Sequence, residues 1–169
     1  VLKTKKIALM GIISALTFSL SAVDSVISAP LPLGVRIGVA NIVVILTILT
    51  VGKKEGFIIT LLKSLFILVT KGITASLLSL SGGTLAFLIT IILLKSEKNS
   101  LILISVLSAL THNVGQIIMA SVIMKNINTL FYLPVLVVSA VITGTITGTA
   151  IKAVMPLAEK VVKKTVKEE

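Results

Sequence analysis

Apolar residues fill six stretches of this chain, and proline, glycine and charged residues mark the breaks between them. Lys3, Lys5 and Lys6 precede the first stretch, about 7–28, which Pro30 and Pro32 close because proline cannot continue a helix. The others run over about 34–51, 56–70, 74–94, 101–124 and 130–154, with breaks at Gly52 to Glu55, at Lys71 and Gly72, over 95–100 and over 125–129. A helix needs roughly 20 apolar residues to cross the hydrocarbon core of a bilayer. The pattern therefore predicts an all-α integral membrane bundle of six transmembrane helices over 1–155. Pro156 opens a basic tail, 156–169, in which Val161, Val162 and Val166 among lysines predict a frayed or interfacial amphipathic helix.

Composition agrees with the pattern. Hydrophobic residues make up 56% of the chain, charged residues 13%, and the mean hydropathy is +1.16, which leaves too little polar surface for a water-soluble globule of this size. The net charge of +10 raises the possibility of nucleic acid, but the lysines cluster between apolar runs and form no stripe interleaved with aromatics. They read as topology signals. With the amino end in the cytoplasm, the breaks and termini place Lys3, Lys5, Lys6, Lys53, Lys54, Lys95, Lys98, Lys152, Lys160, Lys163, Lys164 and Lys167 inside, leaving Arg36, Lys63, Lys71 and Lys125. Folding the second and third stretches into a re-entrant hairpin would bury Lys53 and Lys54 at roughly 2.5–3.5 kcal/mol each. A multi-pass protein of the cell membrane with both termini cytoplasmic is expected.

Little in the chain supports catalysis. Cysteine is absent, histidine occurs once, and the six acidic residues form no cluster able to hold magnesium or zinc. No nucleophile elbow and no nucleotide-binding loop occurs. No cofactor or metal is expected, the chain is read as a non-enzyme, and any ATP hydrolysis falls to partner subunits.

Small residues recur at spacings of three and four on the first helix (Ala8, Gly11, Ala15, Ser19, Ala22), the fourth (Ser76, Ser79, Gly83, Ala86, Thr90) and the sixth (Ser139, Thr143, Gly144, Thr147, Gly148). On the fourth and sixth these faces are expected to pack the bundle. On the first, packing and docking of a second subunit stay open.

Polar side chains inside apolar stretches carry the functional signal, because an intramembrane ionisable group usually faces a partner, a cavity or a pathway. Ser105, Ser108, His112 and Gln116 share one face of the fifth helix with Asn113 beside them, and Ser14, Thr17, Ser21, Asp24, Ser25 and Ser28 form a polar stripe on the first. Three basic groups, Arg36 and Lys71 in the outer part and Lys63 deeper near mid-span, stand against one acid, Asp24. Arg36, Asn41, Lys63, His112, Asn113 and Gln116 are the candidate residues of an outward-opening pocket for a small anionic molecule. Bland roles compete: Asp24 pairing with Arg36, Lys71 snorkelling to the interface, and His112 and Gln116 satisfying each other's helices.

Three segments resemble a known family: Pro30-Leu31-Pro32-Leu33-Gly34-Val35-Arg36 leading to Asn41, then Ser81-Gly82-Gly83, and Ala109 to Gln116 with its His112-Asn113-Val114-Gly115-Gln116 core. Together they resemble the Gx transporter family, also labelled heptaprenyl diphosphate synthase component I, over about Lys5 to Ala153. That family is similar in size and pattern to the substrate-binding S components of energy-coupling factor transporters. The resemblance implies a membrane subunit that captures a scarce vitamin or metabolite, flavin-like or from isoprenoid metabolism. It would dock on a scaffold subunit driven by two cytoplasmic ATPases. It also implies that Ala8, Gly11 and Ala15 form part of the docking face and that the loop from Pro30 to Arg36 caps the ligand. The other role it implies is a non-catalytic membrane partner in prenyl diphosphate synthesis.

Overall fold

The computed structural model describes residues 2–28, 37–96 and 98–167. Six α-helices follow one another: α1 Leu2–Ile27, α2 Val39–Thr50, α3 Lys53–Lys71, α4 Ile73–Leu93, α5 Leu101–Met124 and α6 Leu133–Val162, with a 3₁₀ turn at Ile127–Tyr132 and a π-type turn at Lys163–Lys167. No strand occurs among the described residues. Four segments are long and apolar enough to cross a membrane: Thr4–Ile27, Ile73–Leu93, Leu101–Met124 and Ile127–Thr165. Large apolar side chains such as Ile7, Ile12, Val69, Val122 and Phe131 stand exposed on the outside of the bundle, as lipid-facing residues do.

The two remaining helices differ from that pattern for separate reasons. α2 has 12 residues and so reaches only about 18 Å, well short of the hydrocarbon thickness. It starts at Val39, later than position 34, because Gly38 takes a left-handed conformation (φ 78°) in which a helix cannot be running. α3 has 19 residues but includes Lys53, Lys54, Glu55, Lys63 and Lys71.

α1 and α3 run in the same direction. Their amino ends are joined by an ion pair from Lys6 Nζ to Glu55 Oε1 at 2.5 Å, and their carboxyl ends by a hydrogen bond from the Lys71 ammonium to the Ser25 hydroxyl. Lys71 thus reaches across to α1 from its helix end. Between these ends lies an apolar centre of Val44, Ile48 and Ile59, with Met10, Ile13, Leu62 and Phe87 packed on it.

Proline at 156 does not end the sixth helix. α6 runs through it to Val162, 30 residues in all and on the order of 45 Å, and Val162 is buried. The boundary expected at 155/156 is therefore not a break. The missing amide of one proline removes a single helical bond, and the turn at Lys163–Lys167 packs back against α1. The tail is an extension of the last helix.

The small-residue faces divide as their contacts dictate. On α6, a side chain added at Gly144 would lie 2.6 Å from the Val106 Cα, and at Gly148 2.8 Å from the Ile102 Cα, so both glycines set the α5–α6 approach. On α4, Ser79, Ala86 and Thr90 are buried. On α1, by contrast, Ala8, Gly11, Ala15, Ser19 and Ala22 are all exposed, and nothing lies within 4 Å of where a Gly11 side chain would begin.

Candidate functional site

The fifth helix can carry His112 and Gln116 deep in the bundle because α4 comes unusually close to it. Gly115 would place a Cβ 2.8 Å from the Gly82 Cα, and Gly82 would place one 2.6 Å from the His112 carbonyl oxygen, so the two backbones are in direct contact. The Ser81 hydroxyl donates to the Gly115 carbonyl at 3.0 Å across the same crossing. The Ser81-Gly82-Gly83 segment and the Gly115 of the fifth helix are thus two halves of one contact, which fixes how the His112 ring and the Gln116 stem pass Gly82.

Against this crossing the other helices close a polar chamber of about 30 Å³. α1 contributes Asp24, α2 Asn41 and Ile45, α3 Lys63, α5 Ser105, Ser108, His112 and Asn113, and α6 Thr143 and Thr147. Lys63 is the central group. Its residue is 9% exposed, and its ammonium donates to Asn41 Oδ1 at 2.5 Å. A second cavity of about 20 Å³ lies between α2, α3 and α4. Spaces of this size take water molecules, so a metabolite enters the chamber only when its walls part.

Asp24 has a structural task that the pairing patterns of the sequence do not expose. Its Oδ1 accepts the backbone N–H groups of Gly38 at 2.8 Å and Val39 at 3.3 Å, placing a carboxylate on the amino end of α2, where unsatisfied amides and the helix dipole favour negative charge. Asp24 is therefore both a wall of the chamber and the anchor of α2. Its place in the last turn of an apolar helix, a short distance in sequence before the next apolar run, is the signal that could have marked it.

Among the candidate residues, Asn41, Lys63, His112 and Asn113 meet around the chamber. Asn113 also ties α5 to the first turns of α6, donating from Nδ2 to the Leu136 carbonyl at 3.0 Å and reaching the Ser139 hydroxyl at 3.5 Å. Gln116 is buried but lies beside Gly82 rather than in the chamber wall, a turn beyond His112. Arg36 and the capping loop from Pro30 to Arg36 lie outside the described residues. Ser105, Ser108, Thr143 and Thr147 join the wall, with Ser105 and Thr147 hydrogen-bonded at 2.8 Å.

The hydroxyl stripe of α1 contributes less than its composition suggests. Ser14, Thr17, Ser21 and Ser25 each donate to the carbonyl four residues earlier, at 2.7–2.8 Å, and Asp24 alone of that stripe borders the chamber. In hydrocarbon this is the nearest acceptor a serine or threonine can find.

An ammonium, two amides, an imidazole and several hydroxyls can hold an anion by charge-assisted and neutral hydrogen bonds. They do not form a metal centre: among the described residues no group of three or more histidine, aspartate or glutamate side chains comes together.

Comparison with known proteins bears on the same segments. No curated protein and no solved structure matches the chain. A family profile described as heptaprenyl diphosphate synthase component I matches residues 13–154, a span that holds every wall of the chamber and the Gly82–Gly115 crossing. The chain, a helical protein with helices long and apolar enough to cross a membrane, belongs to the heptaprenyl diphosphate synthase component I family.

Proposed function

We propose that this protein is a substrate-binding membrane subunit of the S-component kind, which captures a small anionic metabolite and hands it to an importer powered by separate ATPase subunits. The observation that carries this reading is the buried Lys63 ammonium bonded to the neutral Asn41 amide in a chamber shared with His112 and Asn113. A carboxylate or phosphate is a stronger acceptor than an amide at such a place, and an intramembrane cation usually faces a partner, a cavity or a pathway. In this reading Gln116 and Arg36 complete the ligand's surroundings, six spans cross the membrane with both termini in the cytoplasm, and α2 and α3 cross as a pair shielded by their neighbours.

Exposure of Ala8, Gly11 and Ala15 along α1 supports a docking face for a scaffold subunit, because small residues let another helix approach closely. A vitamin-sized anion, flavin-like or from isoprenoid metabolism, is the ligand class that fits. A second reading follows from the family description itself: a non-catalytic membrane component of prenyl diphosphate synthesis, holding a prenyl diphosphate for a partner synthase.

Native mass spectrometry of the protein in mild detergent separates the readings. A small anion that co-purifies with the wild type and is lost in Lys63→Ala or His112→Ala supports the importer subunit and identifies its substrate. A prenyl diphosphate supports the second reading. A protein that carries no small molecule and joins no ATPase subunits rules out the importer role.

A further inference from the structure

Asn41, Ile45, Lys63 and Ser108 border both cavities, so the Lys63–Asn41 bond is part of a wall between them. The two compartments differ in chemistry. The chamber on the Asp24 side presents His112, Asn113 and hydroxyls, whereas the cavity between α2, α3 and α4 presents Val44, Ile48, Ala86 and Phe87. Ser79, Thr60 and Thr90 also line the second cavity, but the two threonine hydroxyls donate to the Gly56 and Ala86 carbonyls at 2.9 and 2.7 Å. With those donors engaged, the threonines add methyl groups more than polarity.

We infer that the ligand of this site is an amphipathic anion, with a phosphate or carboxylate head at Lys63 and one short apolar chain running between α2, α3 and α4. The inference rests on the reading of Lys63 as the ligand's cationic partner and adds the chain. An anionic head competes with the Asn41 amide for the Lys63 ammonium, because a charge-assisted hydrogen bond is about twice as strong as one to a neutral acceptor. Once Lys63 turns to the head, the wall it forms with Asn41 opens and the two cavities become one. A wholly polar anion would leave the Val44–Phe87 compartment unfilled, and an apolar compartment gains little from water.

The experiment compares inorganic phosphate with n-butyl phosphate, by calorimetry on the full chain in phosphatidylcholine nanodiscs. Butyl phosphate is expected to bind at least about tenfold more tightly, the worth of burying two methylene groups. Lys63→Gln is expected to weaken both probes. Ala86→Leu, which fills the second cavity, is expected to bring butyl phosphate down to the affinity of inorganic phosphate. Should that variant not fold, Val44→Ala enlarges the same cavity and is expected to shift the preference from butyl to hexyl phosphate. Equal affinity of the wild type for the two probes overturns the chain while leaving the anion site standing, and binding of neither overturns both. Adding phosphatidylglycerol to the nanodiscs separates the sources: displacement of butyl phosphate makes a lipid headgroup the occupant, and undiminished binding makes it a free amphiphile.

Discussion

Asp24 reaches fourteen residues along the chain to accept the Gly38 amide at 2.8 Å, so the last turn of the first helix holds the first turn of the second. Substituting Ala for a capping carboxylate costs about 0.5–2 kcal/mol, and partial burial favours the upper part of that range. Asp24→Ala is expected to lower the thermal midpoint in detergent, while Asp24→Asn, which keeps an acceptor oxygen, recovers most of the loss. Equal midpoints for the wild type and the alanine variant would remove the cap from the account of α2.

Close approach of α4 and α5 makes a second expectation. Gly82→Ala and Gly115→Ala each place a methyl against backbone that cannot swing away, and at Gly82 the Gln116 and His112 side chains crowd it as well. Overpacking of this kind costs about 1–3 kcal/mol. Both variants are expected to lose stability and, because His112 and Gln116 sit at this crossing, ligand affinity as well. Gly11→Ala, with open space around it inside a helix, is expected to leave the thermal midpoint of the isolated protein unchanged or slightly raised, and not to lower it.

At the opposite end of the bundle the Lys6 ammonium hydrogen-bonds Glu55 and holds its carboxyl below the ordinary value of 4.5. A depressed carboxylate contributes stability that is full above the unfolded-state value and is lost as pH falls through the lower folded one. Wild type is therefore expected to lose more stability than Glu55→Gln between about pH 6 and pH 3. Lys6 is 43% exposed, so the difference between the two curves is expected to stay under about 1 kcal/mol.

Lys125 ends α5 in the left-handed region at φ 49°, a conformation that L-residues enter at a cost of roughly 1–2 kcal/mol and glycine enters freely. Lys125→Gly is expected to raise the unfolding midpoint, by up to about 1 kcal/mol after allowance for the greater freedom of glycine when unfolded. A lowered midpoint would mean that the lysine side chain contributes more than its backbone costs.

Much of the fold is legible in the sequence because lipid imposes a simple grammar. Continuous apolar runs must be helical there, and the structure adds that the Ser100 hydroxyl caps α5 by accepting the Leu103 amide. The His112 to Gln116 segment stands out as polar residues at helical spacing. Other features depend on contacts between distant positions. Pro156 looks like a terminator in isolation, yet the helix passes through it because Val162 has a buried place to reach. Gly38 delays α2, and Asp24 compensates from another helix. Periodicity puts Gln116 and His112 on one face, but one turn of rise separates the chamber from the Gly82 crossing. Hydroxyls on α1 count as polar in any tally, although those of Ser14, Thr17, Ser21 and Ser25 donate within the helix.

The shortness of α2 bears on how the protein is made. A helix of about 18 Å is a poor candidate for independent insertion by the translocon, and this one ends beside Glu159 and Val162 of α6, synthesised more than a hundred residues later. Its amino end is held by α1, and toward its carboxyl end Ile48 packs on Met10, Ile13 and Ile59, whereas Leu49 and Thr50 meet their neighbours on α6 only after the intervening helices have been made. In strict chain order α2 meets α1 and α3 first and α6 last, so truncation before α6 should leave its carboxyl end incompletely covered.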